Sequence, residues 1–255
     1  MRKKSLFKNQ LLPRTESIVV NDAEIGMPIV EAYNRLRDNI LYFSLDGKSK
    51  VIQVESSVSG EGKTTLVANI AVTLAKAGKK VVLMDLDYRK AKTHYPFKIK
   101  NENGSSDYLL GKVSYEEMIK HTEYGVDLIN VGKETSNSVS ILTSDKMKNL
   151  IATLKEQYDF VLLDCPPVLS VSDYIHIGQL SDCCLFAIAH GTTKKNQVKD
   201  AIAELKKNNI NVMGIVYTFY NSKKDREGNR NYGYGYKNKR YGYGYGYIRR
   251  NKDNN

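Results

Sequence analysis

The stretch Ser56–Thr65, SSVSGEGKTT, decides how this chain is read. Before it, Val51–Glu55 is a short apolar run that reads as a buried strand. After it, Leu66, Ile70 and Leu74 recur at helical spacing until Gly78 supplies a C-terminal cap. A strand, a glycine-bearing loop, a lysine, a threonine and a helix in this order form a phosphate-binding loop. Gly62, Lys63 and Thr64 match the end of that pattern, whereas Ser57 stands where its first glycine belongs. Gly60 and Gly62 let the backbone turn its N–H groups toward a polyphosphate, in a cradle running through Ser59, Glu61 and Thr65, and the following helix adds its positive end. In this arrangement Lys63 would reach the β- and γ-phosphates and the Thr64 hydroxyl would ligate Mg²⁺.

Acidic strand ends support the same site. Phe160–Asp164, FVLLD, is a hydrophobic strand closed by a carboxylate that belongs beside the magnesium, and the following Cys165, Pro166 and Pro167 make a rigid, donor-poor turn. Val81–Asp85 is a second such strand, continuing to Asp87 and Arg89. In a parallel sheet these ends share one edge, where ligands of this architecture bind. Lys63, Asp85, Asp87 and Asp164 are therefore the candidate catalytic residues, and Thr64, Asp85 and Asp164 the candidate metal set. Arg89 either counters phosphate charge or forms a surface salt bridge.

The rest of the chain extends this pattern. Ile29, Tyr33, Leu36, Ile40 and Phe43 make one stripe of a helix that starts at Pro28 and is closed by Gly47. Residues 126–131, 183–189 and 212–216 read as strands, and 142–157 and 194–208 as helices. Residues 91–124 are less regular, with one or two short helices. Strands that are apolar throughout, alternating with helices, predict an α/β fold of the phosphate-loop NTPase type: a doubly wound, mainly parallel sheet with helices on both faces. The expected divisions are an irregular basic segment over residues 1–25, the catalytic domain over 26–221, and a flexible basic tail over 222–255.

The net charge of +11 sits at the ends: residues 1–14 carry five cations and no acid, residues 222–255 an excess of seven cations, and the body between them is close to neutral at −1. Basic ends suit an acidic surface and equally suit solvated termini. No stretch reads as a signal peptide or membrane span, so the expected location is cytoplasmic, with any anchor supplied by another protein. Cys165, Cys183 and Cys184 lack metal-ligand spacing and read as buried thiols in a reducing compartment, and the four scattered histidines support neither a metal site nor a hydrolytic triad. Seven of the eighteen tyrosines crowd the tail at Tyr232, Tyr234, Tyr236, Tyr241, Tyr243, Tyr245 and Tyr247, alternating with glycine. They form a row of candidate phosphate acceptors.

Taken together, SSVSGEGKTT, VVLMDLDYR, FVLLDCPP, the tyrosine cluster and EAYNRLRDNI upstream resemble the bacterial protein-tyrosine kinases (BY-kinases), in particular the free-standing cytoplasmic type found with capsular or exopolysaccharide clusters. The resemblance covers about residues 24–247. It implies ATP-dependent autophosphorylation of tail tyrosines on a fold shared with partitioning and septum-placement ATPases, with Asp85 as candidate base and Asp87 orienting or sharing that role. It also implies a membrane-anchored activator whose cytoplasmic segment recruits the kinase to the inner face of the membrane, a cognate phosphotyrosine phosphatase, and self-association as a ring. The family's oligomerisation helix carries a glutamate followed at three-residue steps by two arginines. Here Glu31 and Arg37 fit and Asn34 replaces the middle arginine. Ser59, Cys165 and Thr218 also depart from common choices, Thr218 standing where related ATPases often carry a purine-contacting asparagine.

Two other readings compete. A deviant Walker-type ATPase for positioning or partitioning would use the basic tail on nucleic acid or membrane, but its signature lysine position holds Val58, which argues against that class; nucleic acid is an unlikely partner, although a basic tail can bind it by counterion release. A purely adhesive Tyr-Gly tail is the third.

Overall fold

The structure is a computed structural model, and it describes residues 27–133 and 137–220. The basic N-terminal segment and the tyrosine tail, with its seven candidate acceptors, lie outside the described residues.

Seven strands form one sheet: β1 (Val51–Ser56), β2 (Val81–Asp85), β3 (Lys120–His121), β4 (Val126–Ile129), β5 (Phe160–Asp164), β6 (Cys183–Ala189) and β7 (Val212–Thr218). Their order is β3-β4-β2-β5-β1-β6-β7, and every pairing is parallel except the short β3–β4 ladder. Among the described residues eight helices accompany them: α1 (Met27–Phe43), α2 (Lys63–Lys76), α3 (Ser105–Leu109), α4 (Tyr115–Met118), α5 (Ser138–Leu142), α6 (Asp145–Gln157), α7 (Asp173–Gly178) and α8 (Lys195–Lys207).

Strand side chains alternate between two cores. Ile52, Val54, Leu83, Leu162 and Leu185 pack with α1 and α2 on one face. Val82, Met84, Val161 and Leu163 meet α6 and α4 on the other, where Phe186 and Cys184 meet α7 and α8. The central strands are buried on both sides, which is why they read as continuous apolar runs. β7 departs from that expectation. It is an edge strand, and Ile215 and Tyr217 are exposed.

α2 is the helix on which the site rests. Leu66 through Leu74 are all buried, because the helix is sandwiched between the sheet and α1. It ends as its sequence requires: the Gly78 N–H bonds to Ala75 O, the Lys79 N–H to Leu74 O, and Gly78 adopts φ +79°. A methyl group on Gly78 would meet no atom within 4 Å, so Gly78→Ala is expected to cost roughly 1–2 kcal/mol through backbone conformation alone, measurable by chemical denaturation.

Three differences from the sequence reading have local causes. The stripe on α1 is narrower than its spacing suggested: Ile40 is buried and Tyr33 and Leu36 pack on the core, whereas Ile29 and Phe43 face solvent. The helix expected over 142–157 is α6, which starts only at Asp145, while Leu142 ends a separate short helix, α5. Ser144 accepts the Met147 N–H and returns its own hydroxyl to Ile141 O, capping α6 and ending α5. Finally, α7 escaped notice because six residues are too few to show a period.

Candidate active site

The ends of β1, β2 and β5 meet as the topology demands. β5 lies between β1 and β2, and Asp85 is paired in register with Asp164. The phosphate loop leaves β1 and enters α2 at Lys63. Gly60 and Gly62 take φ of +87° and +80°, the left-handed conformations that turn successive N–H groups toward one centre. The Lys63 Nζ donates to Ser56 Oγ at 2.8 Å, folded back along its own loop. The Cys-Pro-Pro turn then runs beside the loop, with Val168 N–H on Ser56 O and Leu169 N–H on Ser57 O.

Asp164 is the acceptor at the centre. Its Oδ2 receives the Thr64 hydroxyl at 2.7 Å and the Thr93 hydroxyl at 3.0 Å, while its buried Oδ1 has no partner among the described residues. Burial raises its pKa, and the Thr64 hydrogen bond and the Lys63 charge oppose that rise. A hydroxyl and a carboxylate in contact, with one buried carboxylate oxygen to spare, fit Mg²⁺. That ion keeps several waters and takes one or two carboxylates together with substrate phosphates. Thr64 and Asp164 are the residues that would hold it.

Asp85 and Asp87 are brought to the same edge but do different things. Asp85 is 1 % exposed and fully engaged: Oδ1 accepts the Asp87 N–H, and Oδ2 accepts the Lys92 and Thr93 N–H groups, each at 3.0 Å. Burial, followed by the charge of Asp164, pushes its pKa to about 7. It organises the loop after β2 and presents no spare oxygen. Asp87 is half-buried, and its Oδ1 is steadied by the Lys90 N–H at 3.0 Å and the Arg89 N–H at 3.3 Å. Arg89 itself is held by residues outside the phosphate loop. Its Nη2 lies 3.1 Å from Ser138 Oγ and 3.5 Å from buried Asp173, fastening this loop to α5 and α7.

Of the cradle residues, Ser59 and Gly60 are exposed, and Thr65 is half-buried in the first turn of α2. Glu61 is 2 % exposed, with its carboxylate directed at the Val58 N–H and the Thr193 hydroxyl. What Glu61 leaves for a ligand is its main-chain N–H. Glu31 and Arg37 lie apart, on α1. Asn34 joins them, donating to Glu31 Oε1 at 3.4 Å and accepting from Arg37 Nη1 at 3.2 Å, while Arg37 Nε bonds Asp38.

Two participants went unseen in the sequence. Thr93 links both carboxylates from an irregular loop, and a single threonine eight residues past Asp85 carries no signal. Glu55, the penultimate residue of β1, is fully buried, its pKa raised well above the ordinary range by burial and partly offset by Lys63. An acid near the end of an apolar strand was the available clue. Among the described residues there is no cluster of three or more His, Cys, Asp or Glu suited to a metal, and no helix long and apolar enough to cross a membrane.

Comparison with known proteins agrees with this geometry. A family model described as an AAA domain matches residues 49–213. The chain is 37 % identical over 180 residues to the tyrosine-protein kinase YwqD of Bacillus subtilis, covering 69 % of this chain and 76 % of that protein. It is 30 % identical over 221 residues to the tyrosine-protein kinase etk of Escherichia coli K12, covering 85 % of this chain but only 30 % of that longer protein. Among solved structures, the chimerical protein CapA2B2 superposes with a TM-score of 0.74 at 31 % identity, over 79 % of this chain and 88 % of that one. The septum site-determining protein MinD of Pyrococcus horikoshii, complexed with Mg-ADP, gives 0.58 at 25 % identity, over 68 % and 71 %. With a relative this similar over three quarters of its length, and with the loop, the two acidic strand ends and the sheet order in place, the chain belongs to the family of bacterial tyrosine-protein kinases.

Proposed function

We propose that this chain transfers the γ-phosphoryl group of ATP to protein tyrosine, chiefly to its own Tyr232, Tyr234, Tyr236, Tyr241, Tyr243, Tyr245 and Tyr247, between molecules. The observation that carries this reading is the contact of Thr64 with Asp164 beside Lys63, with Asp87 on the next strand end but one to the phosphate loop. The N–H groups of residues 59–65 and the Lys63 ammonium hold the phosphates. Thr64 and Asp164 would hold Mg²⁺, which would supply charge neutralisation at the phosphates. Asp87 accepts the phenolic proton as the tyrosine oxygen bonds to γ-phosphorus and the bond from that phosphorus to the bridging oxygen breaks, releasing ADP. Asp87 suits the base role better than Asp85, whose oxygens are all occupied by main-chain donors.

The wider setting is part of the same proposal: a cytoplasmic kinase recruited to the membrane by an anchored activator, self-associating through α1, reversed by a phosphatase, and regulating capsular or exopolysaccharide synthesis. Each phosphate adds about −1.5 to −2 charges, so full modification reverses the sign of a tail that starts at +7. Loss of attraction for acidic surfaces and for neighbouring copies follows.

The test mixes a full-length Lys63→Met chain with a wild-type chain lacking residues 228–255, in labelled ATP and magnesium, with and without a candidate activator's cytoplasmic peptide. Label on the tyrosines of the Lys63→Met chain is the expected result. Its absence, with normal labelling of the unmixed wild type, would place transfer within one molecule. Phosphate release with no phosphotyrosine in any sample would favour the positioning-ATPase reading.

A further inference from the structure

Glu61 is an odd residue to find between two glycines whose N–H groups cradle an anion. A carboxylate there repels polyphosphate unless it is held away. The structure holds it: Oε2 accepts the Val58 N–H at 2.9 Å, and Oε1 accepts the hydroxyl of Thr193, in the turn between β6 and α8. The Thr193 oxygen is itself fixed by the Ala189 N–H at 3.2 Å. From the other side, Thr218 at the end of β7 donates its hydroxyl to Glu61 O at 2.7 Å, and its own carbonyl accepts the His190 N–H at 2.9 Å. The next residue, Phe219, lies so close to Gly62 that a Cβ there would meet its ring at 3.1 Å. Three separate segments thus converge on one loop residue, and the partners of its carboxylate are a neutral hydroxyl and a main-chain N–H.

We infer that Thr193 and Thr218 are positioning residues of the phosphate loop: Thr193 keeps the Glu61 carboxylate turned away from the bound polyphosphate, and Thr218 fixes the main chain from which the Glu61 N–H is presented. The inference rests on the nucleotide site proposed above and assigns it a specific dependence on two residues outside the loop. Removing the Thr193 hydroxyl releases a negative charge within a few residues of the phosphates. Removing the Thr218 hydroxyl loosens the loop without altering charge.

Equilibrium binding of a fluorescent Mg-ADP analogue to the full chain tests this. Thr193→Val is expected to weaken binding about ten-fold, a deficit that shrinks as KCl is raised because the repulsion is screened. Thr193→Ser keeps the hydroxyl and should bind within about two-fold of wild type by the same electrostatic argument. Adding Glu61→Gln to Thr193→Val should restore most of the lost affinity, since no charge then remains to be held, whereas adding it to Thr218→Val should not. Thr193→Ala answers the same question if melting curves show that valine is not accommodated. Wild-type affinity in Thr193→Val and Thr193→Ala, or no recovery on adding Glu61→Gln, overturns the inference. A wild-type chain that binds no Mg-ADP would instead overturn the nucleotide site itself.

Discussion

Lys63→Met is expected to lower phosphoryl transfer by at least about 10³-fold while leaving the domain folded. The lysine is the one cation placed inside the loop, and it stands at the start of α2, where the dipole already favours anions. Its charge matters most in the transition state, when charge on the transferring group and the leaving oxygen is being redistributed. Methionine keeps the length and apolar stem of the side chain and removes only that charge. Folding should survive because the Ser56 hydroxyl also bonds Val58 O at 2.9 Å and does not depend on the ammonium. Glu55 and Asp164 lose a nearby cation, and with burial already raising both pKa values they adapt by holding their protons more tightly. Labelling kinetics beside a thermal melt check both halves. Transfer within a few-fold of wild type would remove Lys63 from the mechanism.

How far the sequence could be read depended on whether a feature was local. β2 and β5 were legible to the residue, because an apolar run buried on both faces and closed by an aspartate has few other readings. Their adjacency in register was also accessible, since parallel strands bring their C-terminal ends to one edge. The roles within the site were less so. Asp85 and Asp87 look equivalent in DLD, and only the path of residues 92–93 back over β2, which fills Asp85's oxygens, separates them. Glu61 read as one more cradle residue because the Thr193 hydroxyl on its carboxylate and the Thr218 hydroxyl on its carbonyl both come from more than a hundred residues away in the chain. Glu55 was harder to read for a similar reason: its strand is enclosed by β5 and β6, which come from far along the chain. The split between α5 and α6 was missed at Ser144, where apolar spacing ran on through a residue that in fact caps a helix.

Asp87→Asn is expected to slow tyrosine phosphorylation by about 10²–10⁴-fold, the range for loss of a positioned general base, with Mg-ADP affinity within a few-fold of wild type. The substitution is a clean one here. Asp87 Oδ1 accepts the Lys90 and Arg89 N–H groups, and an asparagine carbonyl oxygen can accept the same two bonds, so the side chain keeps its place and loses only its capacity to take a proton. The proposed nucleotide and metal contacts, Lys63, Thr64 and Asp164, are not touched. Asp85→Asn should behave differently. It would set an amide against the three main-chain donors that now fill both oxygens, so part of that shell is lost and the loop over residues 87–93 loosens. Its signature is lower thermal stability together with lower transfer. Measuring the transfer rate, the Mg-ADP affinity and the melting temperature for both variants separates base from brace. A variant at position 87 that transfers normally, beside one at 85 that is stable and inactive, would reverse the two assignments.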